Sequence, residues 1–430
     1  MNHGLTIADP LPQTRAKTRS DLYQRLVFAS FAKMKAGGLR LELPDGSCVQ
    51  FGTPDADVCA TIGVLNLAFF RRCVLFGDVG FAESYVDGDW ETDSIERVIS
   101  WAIQNVEKSP SMSGSKVRTV GLNLLRFYNR VQHLLRPNNE RNARRNIAEH
   151  YDLGNDFYRL WLDPTMTYSS AYFTDAGESL EAAQTAKYDA LCRKLQLRSS
   201  DHVLEIGSGW GGFACHAVKR YGCRVTTVTI SQAQLKFARE RFEREGVADR
   251  VEIRLQDYRT IEGSFDKIVS IEMMEALGDR YLATYCAKLH QLLKPDGLVG
   301  LQYITVPDSR HADLRRGVDF IQKHIFPGSL VLSVGRVNET LNRTGDLFLH
   351  HLEDLGSSYA RTLKLWWRSF NAHLDGVRAL GYDERFVRKW NYYLQYCEAA
   401  FTRRNISVVQ AIYTRPNNFH LNTPAEKISR

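Results

Sequence analysis

The sequence lacks the features that identify several common protein classes. Its eight cysteines form no Cys-x-x-Cys pair and no tight cluster with histidines, so neither a structural zinc site nor a disulfide framework is expected, and scattered thiols suit a reducing cytosol. With 30 glycines and 12 prolines in 430 residues, the chain is neither fibrous nor of low complexity. The first 21 residues hold no apolar signal core. The longest apolar run, at 62–70, is much shorter than the ~20 residues that a membrane-spanning helix needs.

The overall composition is that of a globular protein with a large hydrophobic core. Hydrophobic residues make up 44% of the chain and charged residues 24%, and at ~150 residues per domain the length favours two or three domains. The net charge of +7 permits an anionic partner such as a lipid surface. Nucleic-acid binding is not expected, because no recognised module is present and the basic residues are not interleaved with aromatic ones.

Hydrophobic patterning divides the chain into five parts. Residues 39–52 alternate apolar and polar positions around Asp45 and Gly46, which predicts a hairpin within a small α+β unit. From about residue 147, short β-rich runs alternate with helical segments, which predicts a parallel sheet with crossover helices. The predicted parts are a flexible tail (1–20), an N-terminal accessory domain (21–135), a linker (136–149), an α/β domain (150–415) and a C-terminal tail (416–430).

A basic segment lies near the predicted boundary between the two domains. Six arginines and a single acidic residue fall between positions 126 and 145, beside an apolar stripe that is rich in leucine. Two interpretations stay open, a surface that meets the phosphates of a bilayer and a solvated linker helix.

The most informative local motif is the glycine-rich sequence VLEIGSGWGG at 203–212. A strand that runs into several glycines lets a ligand approach the backbone, as nucleotide-binding sites require. A dinucleotide site normally has Asp or Glu about 20 residues beyond the glycines, and here no acidic residue follows until Glu240, which counts against NAD. The chain contains neither a P-loop nor a Gly-x-Ser-x-Gly elbow, which counts against a nucleoside triphosphatase and a serine hydrolase.

Several segments taken together resemble cyclopropane fatty acid synthases and mycolic acid cyclopropane synthases, which are S-adenosylmethionine-dependent methyltransferases. The segments keep their order and spacing from about residue 145 to 415, and they are HYDLGNDFYRLWLDPTMTYSSAYF (150–173), VLEIGSGWGG (203–212), TISQAQ (229–234), FDKIVSIEMMEALG (265–278), FIQKHIFPG (320–328) and the run at 390–401. The resemblance implies an α/β fold with a Rossmann-like seven-stranded methyltransferase sheet, closed by an antiparallel C-terminal strand, and a smaller N-terminal α+β domain.

The resemblance also implies which residues contact S-adenosylmethionine. The matching positions are Tyr168, Ser169, Gly207, Gly209, Thr229, Gln234, Gln256, Asp257 and Tyr258. The Gln234 amide can hydrogen-bond ribose hydroxyls without a carboxylate, which accounts for the missing acidic residue.

In the family so resembled, the sulfonium methyl adds to a cis double bond of an acyl chain, and loss of a proton from the new methyl closes a cyclopropane ring. The base is a bound bicarbonate, and the positions that match its binding site are Ser170, Glu275, Gln302, Ile304 and Tyr359. Two of them depart from the family pattern, because Ser170 replaces a cysteine and Gln302 replaces a histidine. Glutamine carries no positive charge, so it would hold an anion less strongly than a protonated histidine does. If the carbocation on the acyl chain does not lose its proton with ring closure, the product would be a methylene- or methyl-branched chain.

Three functions therefore stay open on the sequence. The leading one is methylation of unsaturated acyl chains of membrane phospholipids, with the apolar segment 320–332 lining an acyl tunnel. Such an enzyme would be cytoplasmic and bound peripherally to the inner face of the membrane, and bacterial relatives suggest a homodimer. The second function is methylation of a soluble metabolite, which would depend little on Glu275. The third is a non-catalytic protein that binds lipid or cofactor.

Overall fold

The computed structural model describes residues 19–108, except Asp55, and residues 153–422, except Arg316. Within these ranges the chain forms two sheets, one of four strands and one of seven. The basic segment at 126–145 and the predicted linker at 136–149 lie outside the described residues, as do most of the tail predicted at 1–20 and the last part of the tail predicted at 416–430.

The four-stranded sheet belongs to the N-terminal unit. Its strands are β1 (Gly38–Glu42), β2 (Cys48–Gly52), β3 (Cys59–Val64) and β4 (Trp90–Glu91), in the spatial order β2-β1-β3-β4. Helices α1 (Arg19–Phe31), α2 (Ala68–Val86) and α3 (Ile95–Gln104) accompany it. β1 and β2 pair antiparallel, and Gly46 takes a φ of +82° in the turn between them, so the hairpin predicted at 39–52 is confirmed.

The seven-stranded sheet forms the larger unit. Its strands are β5 (His202–Ile206), β6 (Arg224–Thr229), β7 (Val251–Leu255), β8 (Phe265–Ile271), β9 (Leu293–Thr305), β10 (Phe348–Asp354) and β11 (Ser407–Thr414). They follow the order β10-β11-β9-β8-β5-β6-β7, in which β5 to β9 are parallel and β11 runs antiparallel to both of its neighbours. The predicted seven-stranded α/β sheet is confirmed. β10 is an addition to the prediction, because the mostly exposed edge strand FLHHLED lacks apolar alternation.

Helices cover both faces of this sheet and one of its ends. They are α4 (Gly154–Arg159), α5 (Leu180–Lys194), α6 (Gly212–Tyr221), α7 (Gln232–Arg244), α8 (Asp279–Leu292), α9 (Asp308–Leu314), α10 (Phe320–His324), α11 (Val334–Thr344), α12 (Gly356–Ala372), α13 (Leu374–Ala379) and α14 (Glu384–Thr402). Val203 packs in a core cluster with α5, α6 and α7, whereas Leu204 packs in another with α8 and α11. Successive strand residues point to opposite faces, so the sheet lies between two helical layers. None of the helices in the described ranges is long and apolar enough to cross a membrane.

The N-terminal unit packs against α14 and α10 of the larger unit. A third core cluster contains residues of both units, among them Trp90. The Arg388 guanidinium on α14 donates to the Trp90 carbonyl at 2.8 Å. Glu83 on α2 accepts hydrogen bonds from Lys323 and His324 on α10, each at 2.7 Å. The small sheet is therefore joined to the helices that border the cavity described next.

Candidate active site

A cavity of about 370 Å³ opens where the parallel strands β5, β6 and β8 end at their carboxyl edge. This edge is where open α/β sheets bind their ligands. Its lining is of two kinds, the polar turns that follow the strands and an apolar wall. The apolar wall includes Ile304, Ile321, Phe326, Leu330, Val331, Leu363, Ala400 and Phe401. The segment predicted at 320–332 thus contributes four of these side chains.

The glycine-rich turn after β5 needs its glycines for backbone reasons. Gly207, Gly209 and Gly211 have φ values of +97°, +48° and +82°, which other residues adopt at a cost. The Gly207 N–H donates to the Val228 carbonyl on β6 at 3.0 Å, which fixes the start of the turn. At Gly212, an added Cβ would lie 2.6 Å from the Tyr188 hydroxyl. The glycines therefore let the backbone run along the cavity, where a ligand can approach it closely.

All nine residues predicted to contact the cofactor line this cavity. The Thr229 hydroxyl donates to Gln234 Oε1 at 2.9 Å, and the Ser231 hydroxyl accepts from the Gln234 N–H at the start of α7. With Oε1 engaged in this way, the amide nitrogen is the Gln234 group suited to a ribose hydroxyl, and it would act as a donor. Asp257 caps the short helix Tyr258–Thr260 by accepting from the Arg259 N–H at 3.0 Å. The geometry is compatible with the cofactor site that the sequence predicted.

The five predicted catalytic residues separate into two groups. Glu275, Ile304 and Tyr359 line the cavity, whereas Ser170 and Gln302 are fully buried behind its wall. The Ser170 hydroxyl donates to the neighbouring backbone carbonyl at 2.9 Å and is not brought into the cavity. The structure thus collects the predicted residues in one region but presents only three of them to a ligand.

The centre of this region is Glu272, which the sequence analysis missed. Its Oε1 accepts hydrogen bonds from the Ser170 N–H and from Gln302 Nε2, both at 2.8 Å. Its Oε2 accepts from the Tyr359 hydroxyl at 2.8 Å. The side chain also lines the cavity. Three residues that were predicted to hold a bicarbonate are therefore already bonded to a carboxylate of the chain.

The predicted bicarbonate does not fit this arrangement. Three of the residues expected to hold it, Ser170, Gln302 and Tyr359, donate to Glu272 instead, and a second anion beside a buried carboxylate would meet repulsion rather than attraction. Only the Ile304 N–H, predicted for the same anion, has a different acceptor, and that acceptor is the Glu275 carboxyl group.

The amide of Gln302 is held in one orientation by a chain of hydrogen bonds. Lys194 Nζ, which can only donate, bonds to Gln410 Oε1 at 2.6 Å. Gln410 Nε2 then donates to Gln302 Oε1 at 3.0 Å, which leaves Gln302 Nε2 to face Glu272. Two of the groups around Glu272 are consequently N–H donors that cannot accept. Both donate to Oε1 and match an unprotonated oxygen at that position.

The backbone at Glu272 is unusual for a residue with a side chain. Its φ is +49°, in the left-handed region that favours glycine and costs other residues about 1 kcal/mol. The Glu272 N–H donates to the Gln302 carbonyl at 2.7 Å across the β8–β9 pair, which holds the backbone in this position. A signal for Glu272 was present in the sequence, since an acidic residue directly after a buried parallel strand lies at the ligand-binding edge.

Glu275 is the second carboxyl group of the cavity. One oxygen accepts from the Ile304 N–H, and the other is buried without a hydrogen-bond partner among the described residues. Burial, together with the negative charge of Glu272, raises the pKa of Glu275 to about 8. Glu275 therefore holds its proton at neutral pH.

A buried lysine interacts electrostatically with Glu272. Lys187 Nζ donates to the Ser169 hydroxyl at 2.6 Å, and burial lowers its pKa to about 7, although Glu272 acts to raise it. Burial raises the pKa of Glu272, while Gln302 and Lys187 oppose the rise. At the end of β5, burial raises the pKa of Glu205 to about 8. Lys187 thus favours a negative charge on Glu272, and three hydrogen-bond donors act on the same carboxylate.

Comparisons with known proteins agree on the type of protein. The family model of mycolic acid cyclopropane synthetase matches residues 138–411. Tuberculostearic acid methyltransferase UfaA1 of Mycobacterium tuberculosis is 39% identical over 380 residues, which are 86% of each chain. Cyclopropane-fatty-acyl-phospholipid synthase of Escherichia coli K12 is 37% identical over 361 residues, covering 83% of this chain and 88% of that one.

Solved structures extend the similarity to the fold. The cyclopropane synthase MmaA2 from Mycobacterium tuberculosis has 31% sequence identity and a TM-score of 0.58, and it covers 63% of this chain and 98% of its own. The mycolic acid cyclopropane synthase CmaA1, solved as a complex with SAH and CTAB, has the same identity and coverage and a TM-score of 0.59.

Proposed function

The chain belongs to the mycolic acid cyclopropane synthetase family of S-adenosylmethionine-dependent methyltransferases, and from this premise we propose that it methylates a cis double bond in an acyl chain of a membrane phospholipid. The family membership confirms the resemblance predicted from the motifs. It identifies the chain as a lipid-modifying enzyme, whereas the acceptor bond and the product belong to the proposal.

The observation that carries the proposal is the composition of the cavity. One continuous lining joins the glycine-rich turn to an apolar wall, and the ionisable pair Glu272 and Glu275 is part of it. An alkene is a weak nucleophile, so its methylation needs a reactive donor and a site from which competing water is excluded. Two relatives, a tuberculostearic acid methyltransferase and a cyclopropane-fatty-acyl-phospholipid synthase, support an acyl chain as the acceptor.

Each part of the lining has a separate task in the proposed reaction. S-adenosylmethionine, when bound, supplies a methyl group on a positively charged sulfur. Gly207 and Gly209 let the backbone approach it, and the Gln234 amide nitrogen donates to its ribose. The apolar wall holds the acyl chain and excludes water. A carboxylate in the cavity stabilises the positive charge that develops on the acyl chain and is placed to receive a proton.

The product depends on whether a hydride shifts before the transferred methyl loses its proton. Loss of a proton from the transferred methyl with ring closure gives a cyclopropane, the outcome that the sequence favours. A hydride shift before the proton is lost gives a methylene branch instead. The names of the relatives include both a cyclopropane synthase and a tuberculostearic acid methyltransferase, so both products are carried into the test.

The test uses the purified protein, labelled S-adenosylmethionine and phospholipid vesicles. We expect vesicles with cis-monounsaturated chains to gain one CH2 per modified chain, and vesicles with saturated chains to gain none. Resistance of the product to hydrogenation identifies a cyclopropane, and uptake of hydrogen identifies a methylene branch. Equal labelling of both vesicles would refute the double bond as acceptor. Methylation of soluble metabolites without any labelling of lipid would favour the second function that the sequence left open.

We also propose that the protein binds the inner face of the membrane peripherally through its N-terminal accessory domain, as a homodimer. The support is a set of exposed large apolar side chains in that unit, which are Leu22, Leu26, Leu65, Leu67 and Phe76. If these side chains form one contiguous patch, they would give a surface of the kind that meets lipid or protein. Co-sedimentation with anionic vesicles tests the first part, and light scattering of the purified protein tests the second. A monomer that stays in the supernatant would refute both.

A further inference from the structure

We infer that the carboxylate of Glu272 is the base that takes the proton from the methylated acyl chain, so that the enzyme needs no bound bicarbonate. The inference rests on the proposed function and adds the group that completes its reaction. It follows from where the hydrogen-bond donors of the site point.

The donors around Glu272 prepare it for this task. The Ser170 N–H, Gln302 Nε2 and the Tyr359 hydroxyl all lie 2.8 Å from its oxygens. These donors belong to three of the residues that the family resemblance assigned to the external anion. A covalently attached carboxylate therefore has the hydrogen-bond surroundings that the anion was expected to have, and it lines the same cavity.

Glu275 is less suited to be the base. It has one donor, the Ile304 N–H, and its second oxygen has no partner among the described residues. Because the pKa of Glu275 is raised to about 8, this group is protonated at neutral pH. Lys187 is buried nearby and favours a negative charge on Glu272. Glu275 thus holds its proton, whereas the hydrogen-bond donors around Glu272 favour a carboxylate there.

The step balances in atoms and charge. The alkene electron pair forms a bond to the donor methyl while the bond from that carbon to sulfur breaks, which leaves a neutral thioether and a cation on the acyl chain. The Glu272 carboxylate then removes one proton from the new methyl, and the electron pair of that C–H bond closes the ring. If a hydride has shifted first, the same pair forms a double bond. Glu272 ends protonated, and its proton passes to solvent when the lipid leaves.

The first experiment compares the wild type with Glu272→Gln and Glu272→Gly in buffer freed of carbon dioxide. We expect the wild-type rate on cis-unsaturated vesicles to change less than twofold when bicarbonate is added. Loss of a general base predicts a rate about 100-fold lower or more in Glu272→Gln. Glu262→Gln, at an exposed position before β8, is the matched control and should keep the wild-type rate.

Glycine at this position gives the sharper test. The φ of +49° suits glycine, so Glu272→Gly should fold, and it leaves the three donors free to hold an added anion. We expect this variant to be inactive in bicarbonate-free buffer and to recover at least tenfold with bicarbonate or formate. Calorimetry should detect bicarbonate binding to the variant and none to the wild type. Calorimetric binding of S-adenosylmethionine by both variants confirms that the cofactor site is intact.

The outcomes separate the inference from the function on which it rests. A wild-type enzyme that methylates lipid only with added bicarbonate, or a Glu272→Gln variant that keeps its rate, would overturn the role of Glu272 and leave the proposed function in place. A wild-type enzyme that binds S-adenosylmethionine and methylates no lipid would overturn the proposed function, and the inference would fall with it.

Discussion

Replacing Glu275 by glutamine should change how the stability of the protein depends on pH. The variant keeps an acceptor for the Ile304 N–H but has no group that titrates. In the wild type, burial and the charge of Glu272 raise the pKa of Glu275 from 4.5 to about 8. At about 1.4 kcal/mol for each tenfold change in proton affinity, this difference corresponds to roughly 5 kcal/mol.

The sign follows from the two protonation states. Above pH 4.5 the unfolded chain has lost the proton of Glu275, whereas the folded protein keeps it until about pH 8. The free energy of unfolding of the wild type therefore contains a contribution that is complete below pH 4.5 and is lost as the pH rises to about 8. Glu275→Gln lacks this loss, so the variant should be similar to the wild type at pH 5 and more stable at pH 8.

Urea unfolding of the ligand-free proteins at pH 5, 6, 7 and 8 measures the effect. We expect the stability difference between variant and wild type to grow by several kcal/mol across this range, equivalent to roughly 2 °C in Tm per kcal/mol for a domain of this size. Glu262→Gln is the control and should run parallel to the wild type. In a Glu272→Gln background the effect should shrink, because the neighbouring charge is gone. Parallel pH profiles for Glu275→Gln and the wild type would refute the placement of a buried, protonated carboxyl group here.

Two further predictions concern the turn and the contact between the units. Gly211→Ala should destabilise the protein by about 1–3 kcal/mol, because the φ of Gly211 is +82° and the added Cβ would lie 2.7 Å from the Phe242 ring. The variant should also bind S-adenosylmethionine more weakly in calorimetry. Unchanged binding and stability would contradict the close packing of this turn. Glu83→Gln should cost about 1 kcal/mol at pH 7, since Lys323 and His324 help to lower the pKa of Glu83 to about 2. That contribution to stability is present above pH 4.5 and is lost as the pH falls toward 2. The Tm values of variant and wild type, measured by thermal melts, should therefore converge in acid. A Tm difference that stays constant with pH would contradict the ion pair.

Local patterns in the sequence were sufficient to predict the two sheets and the residues at the cofactor end of the cavity. Alternation of β-rich and helical runs predicted the larger sheet, and the Asp45–Gly46 pair predicted the hairpin of the smaller one. The cofactor residues follow the carboxyl ends of consecutive parallel strands, and such ends meet at one edge whatever the packing elsewhere. For this reason all nine predicted positions line the same cavity.

The chemistry at the other end was decided only by the tertiary structure. The hydrogen bonds to Glu272 span 102 residues to Ser170, 30 to Gln302 and 87 to Tyr359, and no periodicity in the sequence connects these positions. The orientation of the Gln302 amide depends on Gln410, which reaches it because the antiparallel β11 lies beside β9. Which of several candidate side chains is ionised depends on how deeply each is buried and on which donors surround it. Burial and the direction of donors arise when distant segments pack together, and a linear sequence does not record them.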